Sequence, residues 1–400
     1  MKFCFIHPFA YPPYKGGVEY GSYYLSREFA KLGHQVTVVT TRPFCSSLRS
    51  EDIAGVKYLR IQSVTVAFRI NILLLVPMRT LIYEVLSSDI VYIKGLMTSF
   101  SIALGILCSI LGKKTIVQVH AGDNGGQTGF ARRFAFTLLG FFASFVLKRA
   151  TLLQGETHSD IDLHRGHKGK NAEFVLVPPG ISEQFFDPVN HAAEGRHLLQ
   201  TTATTRVILF FGRINLLKGP KVAIEAFSML RQDPEMINTL LVIAGADSPD
   251  LDTLKKKVKE LNLSPGVSFL IDLDEDQKVW LYDAADVVII PSLFDSVEAY
   301  CIALSEAWAR SKPVIASRVG ALSLRIHDGV DGLLVVPGSR VDLAAVIMDL
   351  LGNPSQMELL GRGVKQRPLS WGEVAGLMIA QAERIAKTKS WNTNLGRRAT

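Results

Sequence analysis

The sequence predicts an α/β protein made of two doubly wound, Rossmann-like domains with a cleft between them. Short apolar, β-branched runs alternate with helical patterns along the whole chain, which implies parallel sheets in both halves. A polar stretch without periodicity interrupts that alternation once, at residues 186–205. The chain has 400 residues, 48% hydrophobic and 20% charged, enough for two globular cores and more than one domain of usual size.

In the first half, residues 2–6 read as a strand, and Gly16 and Gly17 stand directly before a helical pattern in Tyr20, Tyr24, Leu25 and Phe29. A glycine pair at a helix start lets backbone N–H groups approach a phosphate. It serves a tight turn equally well, and it is not the G-x-G-x-x-G of a nicotinamide-binding fold. Gly33 ends the helix and residues 35–40 return as a strand, which completes a βαβ unit. The run 96–112 holds 17 residues without a charge. That is short of the ~20 needed to cross a bilayer, and a strand at 115–119 follows at once, so the run is read as a buried helix.

His120 stands at the carboxyl end of that strand, before a glycine-rich loop, a position open to either a catalytic or a structural role. In residues 130–150, Arg132 and Arg133 at one end and Lys148 and Arg149 at the other bracket 14 uncharged positions. This suits a helix lying on an anionic surface, or a buried helix with charged ends. His158, His164 and His167 lack metal-ligand spacing and read as a solvated loop. A strand at 174–177 precedes the polar stretch, so the domains are set at 1–185 and 206–371, with 186–205 as linker.

The second half brings strands at 207–211, 240–244, 267–270, 287–290 and 314–316, with helices at 220–231, 252–261 and 277–284. The run VVII at 287–290 suits a strand covered on both faces, and Pro291 and Ser292 end it. Ligands of open α/β sheets bind beyond the carboxyl ends of the strands. Glu298 in the following loop and Glu306 on the next helix are therefore placed to accept from sugar hydroxyls, although two carboxylates alone could equally be solvated acids. At the end of strand 207–211, Arg213 and Lys218 sit five apart in a loop that opens a helix, a pocket suited to a diphosphate. Cations and carboxylates in one half imply a ligand with both phosphates and hydroxyls, which is a nucleotide sugar.

Composition bounds the setting. Cys4, Cys45, Cys108 and Cys301 are scattered without a C-x-x-C pair, so neither a disulfide framework nor a zinc site is expected, and a reducing, cytoplasmic environment fits. The four apolar residues before His7 and Pro8 are too few for a signal-peptide core and read as the first strand. The net charge of +7 is uneven: residues 1–180 carry 20 basic against 11 acidic residues, a net +9, and the remainder 24 against 26, a net −2. No basic run with interleaved aromatics is present, so nucleic acid is not an expected partner; an anionic membrane face or a phosphorylated acceptor is.

The chain resembles the large retaining GT-B glycosyltransferase family, family 4 type, which includes phosphatidylinositol mannosyltransferases. The resemblance covers nearly the whole length through KGGVE at 15–19, FFGRINLLKG at 210–219, LVIAGA at 241–246, PSLFDSVEAYCIALSEAWA at 291–309, PVIASRVGA at 313–321 and DGVDGLLVVPG at 328–338. It implies that Gly16 and Gly17 face the donor diphosphate and that Arg213 and Lys218 neutralise it. Glu306 would hold the ribose hydroxyls and Glu298 the transferred sugar, with the backbone of Tyr300, Cys301 and Ile302 assisting. His120 would reach the sugar from the first domain, and residues from about 372 to 400 would cross back to that domain. It implies hexosyl transfer from a nucleotide-diphosphate sugar to a lipid-linked or glycan acceptor, with no metal and no cofactor beyond that donor substrate, at the inner face of a membrane. Three positions depart from the family pattern: Cys301 stands for the usual glycine, Ile271 for another, and Leu324 for an acid. Cys301 motivates one alternative, a catalytically silent scaffold; a nucleotide-sugar epimerase is another.

Overall fold

The computed structural model describes residues 1–12, 17–42, 50–67, 70–75, 78–96, 98–120, 130–167, 169 and 172–387. The chain divides into two compact units, Met1–Pro179 with Trp371–Thr400, and Gly180–Ser370.

The first unit holds β1 (Lys2–Ile6), β2 (Gln35–Arg42), β3 (Ser50–Ile53), β4 (Val56–Ala67), β5 (Ile70–Leu75), β6 (Ile90–Ile93), β7 (Thr115–Val119), β8 (Leu152–Gly155) and β9 (Glu173–Leu176). They form one sheet in the order β3-β4-β2-β1-β6-β7-β8-β9, with β5 on β4. Pairing is parallel from β4 through β9, whereas β3 and β5 run antiparallel to β4. The β3–β4–β5 meander was not anticipated: the 64–75 run is apolar at consecutive positions, so its period does not separate strand from buried helix. The 96–112 run is the helix Ser99–Ile110, capped by Thr98, which buries Phe100, Ile102, Leu104 and Cys108 against the sheet core. His158, expected in a loop, opens the short helix His158–His164, because Thr157 and Asp160 form a reciprocal capping box.

The second unit is a six-stranded parallel sheet, β10 (Arg206–Phe211), β11 (Thr239–Gly245), β12 (Val267–Ile271), β13 (Val287–Ile290), β14 (Val314–Ser317) and β15 (Leu333–Val335), in the order β12-β11-β10-β13-β14-β15. Val287, Val288, Ile289 and Ile290 are all buried, as an apolar run between two helix layers requires. Burying each such side chain contributes about 1.5–3 kcal/mol. The 186–205 stretch is not a bare linker. It folds as the helix Ala192–Leu198, whose Gly195 lies so close to the Trp280 carbonyl of helix Glu275–Ala284 that a Cβ would collide with it. A seven-residue helix with few apolar positions gives little periodic signal, and the close approach at one glycine replaces a hydrophobic stripe.

Candidate functional site

In the second sheet the chain runs outward from β10 through β11 to β12, then crosses to the other side of β10 and continues through β13 to β15. The strand order reverses between β10 and β13, and the loops leaving these two strands bound the crevice where α/β folds bind ligands. They touch. The Leu293 amide donates to the Leu217 carbonyl at 3.0 Å. Gly219, at φ +77°, lies against Pro291 so closely that any side chain would strike the Pro291 carbonyl. Only glycine gives both the left-handed turn and the contact, and Pro220 then starts the helix Pro220–Leu230.

This contact sets Lys218 beside the β13 loop. Its Nζ lies 2.8 Å from Glu298 Oε1, and the Ser292 hydroxyl donates to the same oxygen. The Glu298 side chain is 1% exposed and that of Lys218 20%. Arg213 stands in the same β10 loop but is exposed, and its side chain makes no hydrogen bond or ion pair among the described residues.

Glu306 is one turn into the helix Ile302–Ala309 and buried, and its Oε2 accepts from the Tyr282 hydroxyl at 2.8 Å. Burial pushes its carboxyl up to about 7, against the opposing pull of Lys278 and Tyr282. Ser292 and Tyr282 were missed in the sequence; Ser292 was legible as the first polar residue past the VVII strand, whereas Tyr282 comes from a different helix and left no signal in spacing.

The loop between the two glutamates ends at Cys301, which has φ +68° and caps the helix Ile302–Ala309. A side chain in that region costs of order 1–3 kcal/mol. Burial drives its thiol up to about 12. Tyr300 and Ile302 flank it, with Tyr300 buried. The exposed Leu324 lies in the helix Gly320–Arg325.

The remaining candidates lie in the first unit. Gly17 opens the helix Gly17–Lys31, and Gly16 lies outside the described residues. His120 sits at the end of β7, its Nδ1 3.5 Å from Glu156 Oε2 while Gln118 donates to the other carboxylate oxygen. His120 Nε2 is buried and without a hydrogen bond among the described residues. His7 and Lys94, just past β1 and β6, complete a buried polar group there that the sequence did not disclose. Burial, with Lys94 and His120 nearby, drives His7 down to about 3, and burial lowers Lys94 to about 8 while Glu156 opposes the fall. Burial also raises the carboxyl of Glu156. These four side chains belong to four strands that are adjacent in the sheet but far apart in sequence. No group of three or more histidine, cysteine or acidic residues able to hold a metal occurs among the described residues.

The family description "Glycosyltransferase Family 4" matches residues 15–185, and "Glycosyl transferases group 1" matches residues 197–367. The chain belongs to the group 1, family 4 glycosyltransferases. It is 31% identical over 243 residues to a D-inositol 3-phosphate glycosyltransferase of Corynebacterium urealyticum, a match covering 58% of this chain and 57% of that one. The chain spans about half the length of the curated relatives it matches. Among solved structures it is similar to a sucrose-phosphate synthase from Thermosynechococcus elongatus, with TM-score 0.75 and 21% identity, covering 96% of this chain and 98% of that one. It is also similar to Anabaena HepE in complex with UDP-glucose, with TM-score 0.69 and 16% identity, covering 96% and 100%. These likenesses give it the GT-B fold.

Proposed function

We propose that this family member transfers a hexosyl group, with retention at the anomeric carbon, from a nucleoside-diphosphate sugar to a lipid-linked or glycan acceptor. The observation that carries this reading is the Lys218–Glu298 pair at the second sheet's switch point, with Glu306 on the helix that follows. In the reaction the bond between the anomeric carbon and the diphosphate oxygen breaks, and its electron pair leaves with the nucleoside diphosphate. The acceptor hydroxyl forms the new bond and gives up its proton to the departing diphosphate oxygen. Charge therefore builds on the leaving oxygen, where Lys218 and Arg213 act as cations, and on an oxocarbenium-like sugar, next to Glu298. Removing one such preorganised partner elsewhere costs on the order of 10²–10³ in rate. Glu306 accepts from the ribose hydroxyls, and His120 serves the sugar from the first unit.

Two supports come from relatives. One structure holds UDP-glucose, which favours a nucleotide sugar as donor, and one relative is named for D-inositol 3-phosphate, which favours a phosphorylated acceptor. Protein cations meet the phosphate charge in this scheme, so transfer proceeds without a divalent metal or other cofactor. We further propose that the enzyme works in the cytoplasm, at an anionic membrane face reached through the helix Phe130–Arg149. That helix leaves Leu138, Phe141 and Phe142 exposed, with Lys148 and Arg149 exposed at its end. No helix among the described residues is long and apolar enough to cross a membrane.

The test is incubation with UDP-, GDP- and ADP-sugars plus lipid-phosphate, cyclitol-phosphate and oligosaccharide acceptors, with NMR of the product linkage, each with and without EDTA. A product of inverted configuration refutes retention. Loss of transfer in EDTA with rescue by magnesium refutes the metal-free scheme, and turnover of the donor sugar without any acceptor favours an epimerase.

A further inference from the structure

We propose that Arg325 is a positioning residue for the donor phosphates: it holds the Tyr300–Cys301 backbone in the orientation that a glycine at 301 would allow freely. This inference rests on the reading of the second unit as the donor site.

Arg325 ends the helix Gly320–Arg325 and is 7% exposed, yet each of its three guanidinium nitrogens donates. One terminal nitrogen donates to the Tyr300 carbonyl at 2.7 Å and the Cys301 carbonyl at 3.1 Å, the other to the Ser305 hydroxyl at 2.8 Å, and Nε reaches Gln366 at 3.5 Å. Its plane also lies over the Tyr300 ring, 3.8 Å from the centroid, and faces Trp308 at 5.2 Å. A buried guanidinium is retained only where its donors are satisfied and aimed. Here two of the bonds go to successive carbonyls on either side of the left-handed residue.

In a trans peptide the carbonyl of one residue and the N–H of the next point in opposite directions. Drawing the Tyr300 and Cys301 carbonyls toward Arg325 therefore turns the Cys301 and Ile302 amides the other way. Neither amide makes a hydrogen bond among the described residues. Successive N–H groups around an αL residue at a helix start form a concavity suited to an anion. The backbone at Cys301 disfavours this conformation because of its Cβ, so without an external restraint the loop relaxes to negative φ and the amides turn away. Arg325 supplies the restraint, and Ser305, in the first turn of the helix Ile302–Ala309, fixes the arginine's own angle.

The experiment measures affinity for UDP, GDP and ADP by calorimetry, and kcat and KM for the sugar nucleotide turned over, in the wild type, Arg325→Met, Arg325→Lys, Cys301→Gly and the Cys301→Gly/Arg325→Met double variant. Arg325→Met is expected to weaken nucleoside-diphosphate binding about tenfold or more with Cys301 present, and less than about threefold once Cys301→Gly is also present. A loss of packing alone would lower stability equally in both backgrounds and show no such coupling. Equal losses in the two backgrounds, or unchanged affinity in Arg325→Met, overturn the role. Should Arg325→Met not fold, Arg325→Lys decides, since lysine cannot reach both carbonyls and Ser305 together: wild-type affinity in that variant overturns the proposal. A wild type that binds none of the three nucleotides overturns the donor-site reading itself and this role with it.

Discussion

Lys218 Nζ and Glu298 Oε1 lie 2.8 Å apart, with the carboxylate almost wholly buried and the ammonium one-fifth exposed. The pair joins the loops leaving β10 and β13, so it contributes to stability as well as to the site. Removing one member of a buried pair costs about 3–5 kcal/mol because the other charge is left uncompensated. Screening at the exposed lysine brings the expectation for Lys218→Ala toward the lower end. Urea unfolding should show that loss, and adding Glu298→Gln to Lys218→Ala should recover part of it. A single variant as stable as wild type contradicts the pairing.

Glu306 gives a pH signature. Its carboxyl is raised to about 7 in the folded protein, against about 4.3 in an unfolded chain. The native state thus keeps a proton that the unfolded state has released. The stability this contributes is complete below about pH 4.3, declines as pH rises and is gone above about 7, a change on the order of 3 kcal/mol. Glu306→Gln should flatten the urea midpoint between pH 5 and 8 relative to wild type. Parallel pH curves for the two proteins would mean that Glu306 is not protonated in this range.

Arg213 differs from Lys218 in having no partner to lose among the described residues. Arg213→Ala should leave the melting temperature within about a degree of wild type, since exposed substitutions rarely change stability by more than about 0.5 kcal/mol. It should weaken nucleoside-diphosphate binding by about 1.5–3 kcal/mol, the worth of a charge-assisted hydrogen bond. Calorimetry with UDP, GDP and ADP reads this; unchanged affinity removes Arg213 from the phosphate pocket.

The reach of the sequence follows from what each contact depends on. β10 and β13 were legible because their buried runs are local, and the Arg213–Lys218 spacing and the two glutamates were legible because each lies within one loop or helix. Tyr282, Arg325 and Glu156 were not. Each meets its partner only after the sheet has brought together elements that are separated in sequence: Tyr282 meets Glu306 across 24 positions, and Glu156 meets Gln118 across 38. The helix Ala192–Leu198 was missed for a different reason, since its packing rests on one glycine rather than on an apolar stripe.

The exposed Leu138, Phe141 and Phe142, with Phe141 at 71%, support the membrane reading of the helix Phe130–Arg149. The opposite face buries Ala143, Val146 and Leu147, so the helix is anchored to its unit and only one side is available to lipid. Phe141→Asp should reduce sedimentation with anionic liposomes about tenfold or more, as the loss of ~1.5–3 kcal/mol of aromatic burial implies. High salt should weaken the wild type further through Lys148 and Arg149. Wild-type protein that stays in the supernatant at low salt refutes the contact.

The helix Trp371–Lys387 belongs to the first unit although the whole second unit precedes it in the chain. Its Trp371 stacks on Tyr24 with ring centroids 6.1 Å apart, and the Ala386 carbonyl accepts from Lys114 at 2.7 Å. During synthesis on the ribosome, residues 1–179 therefore emerge with the seat for Met378, Ala382 and Ile385 still bare, and it stays bare while nearly 200 more residues are made. The second unit, continuous in the chain, can mature first. A nascent chain cut short anywhere before Trp371 presents an open apolar seat to chaperones and proteases.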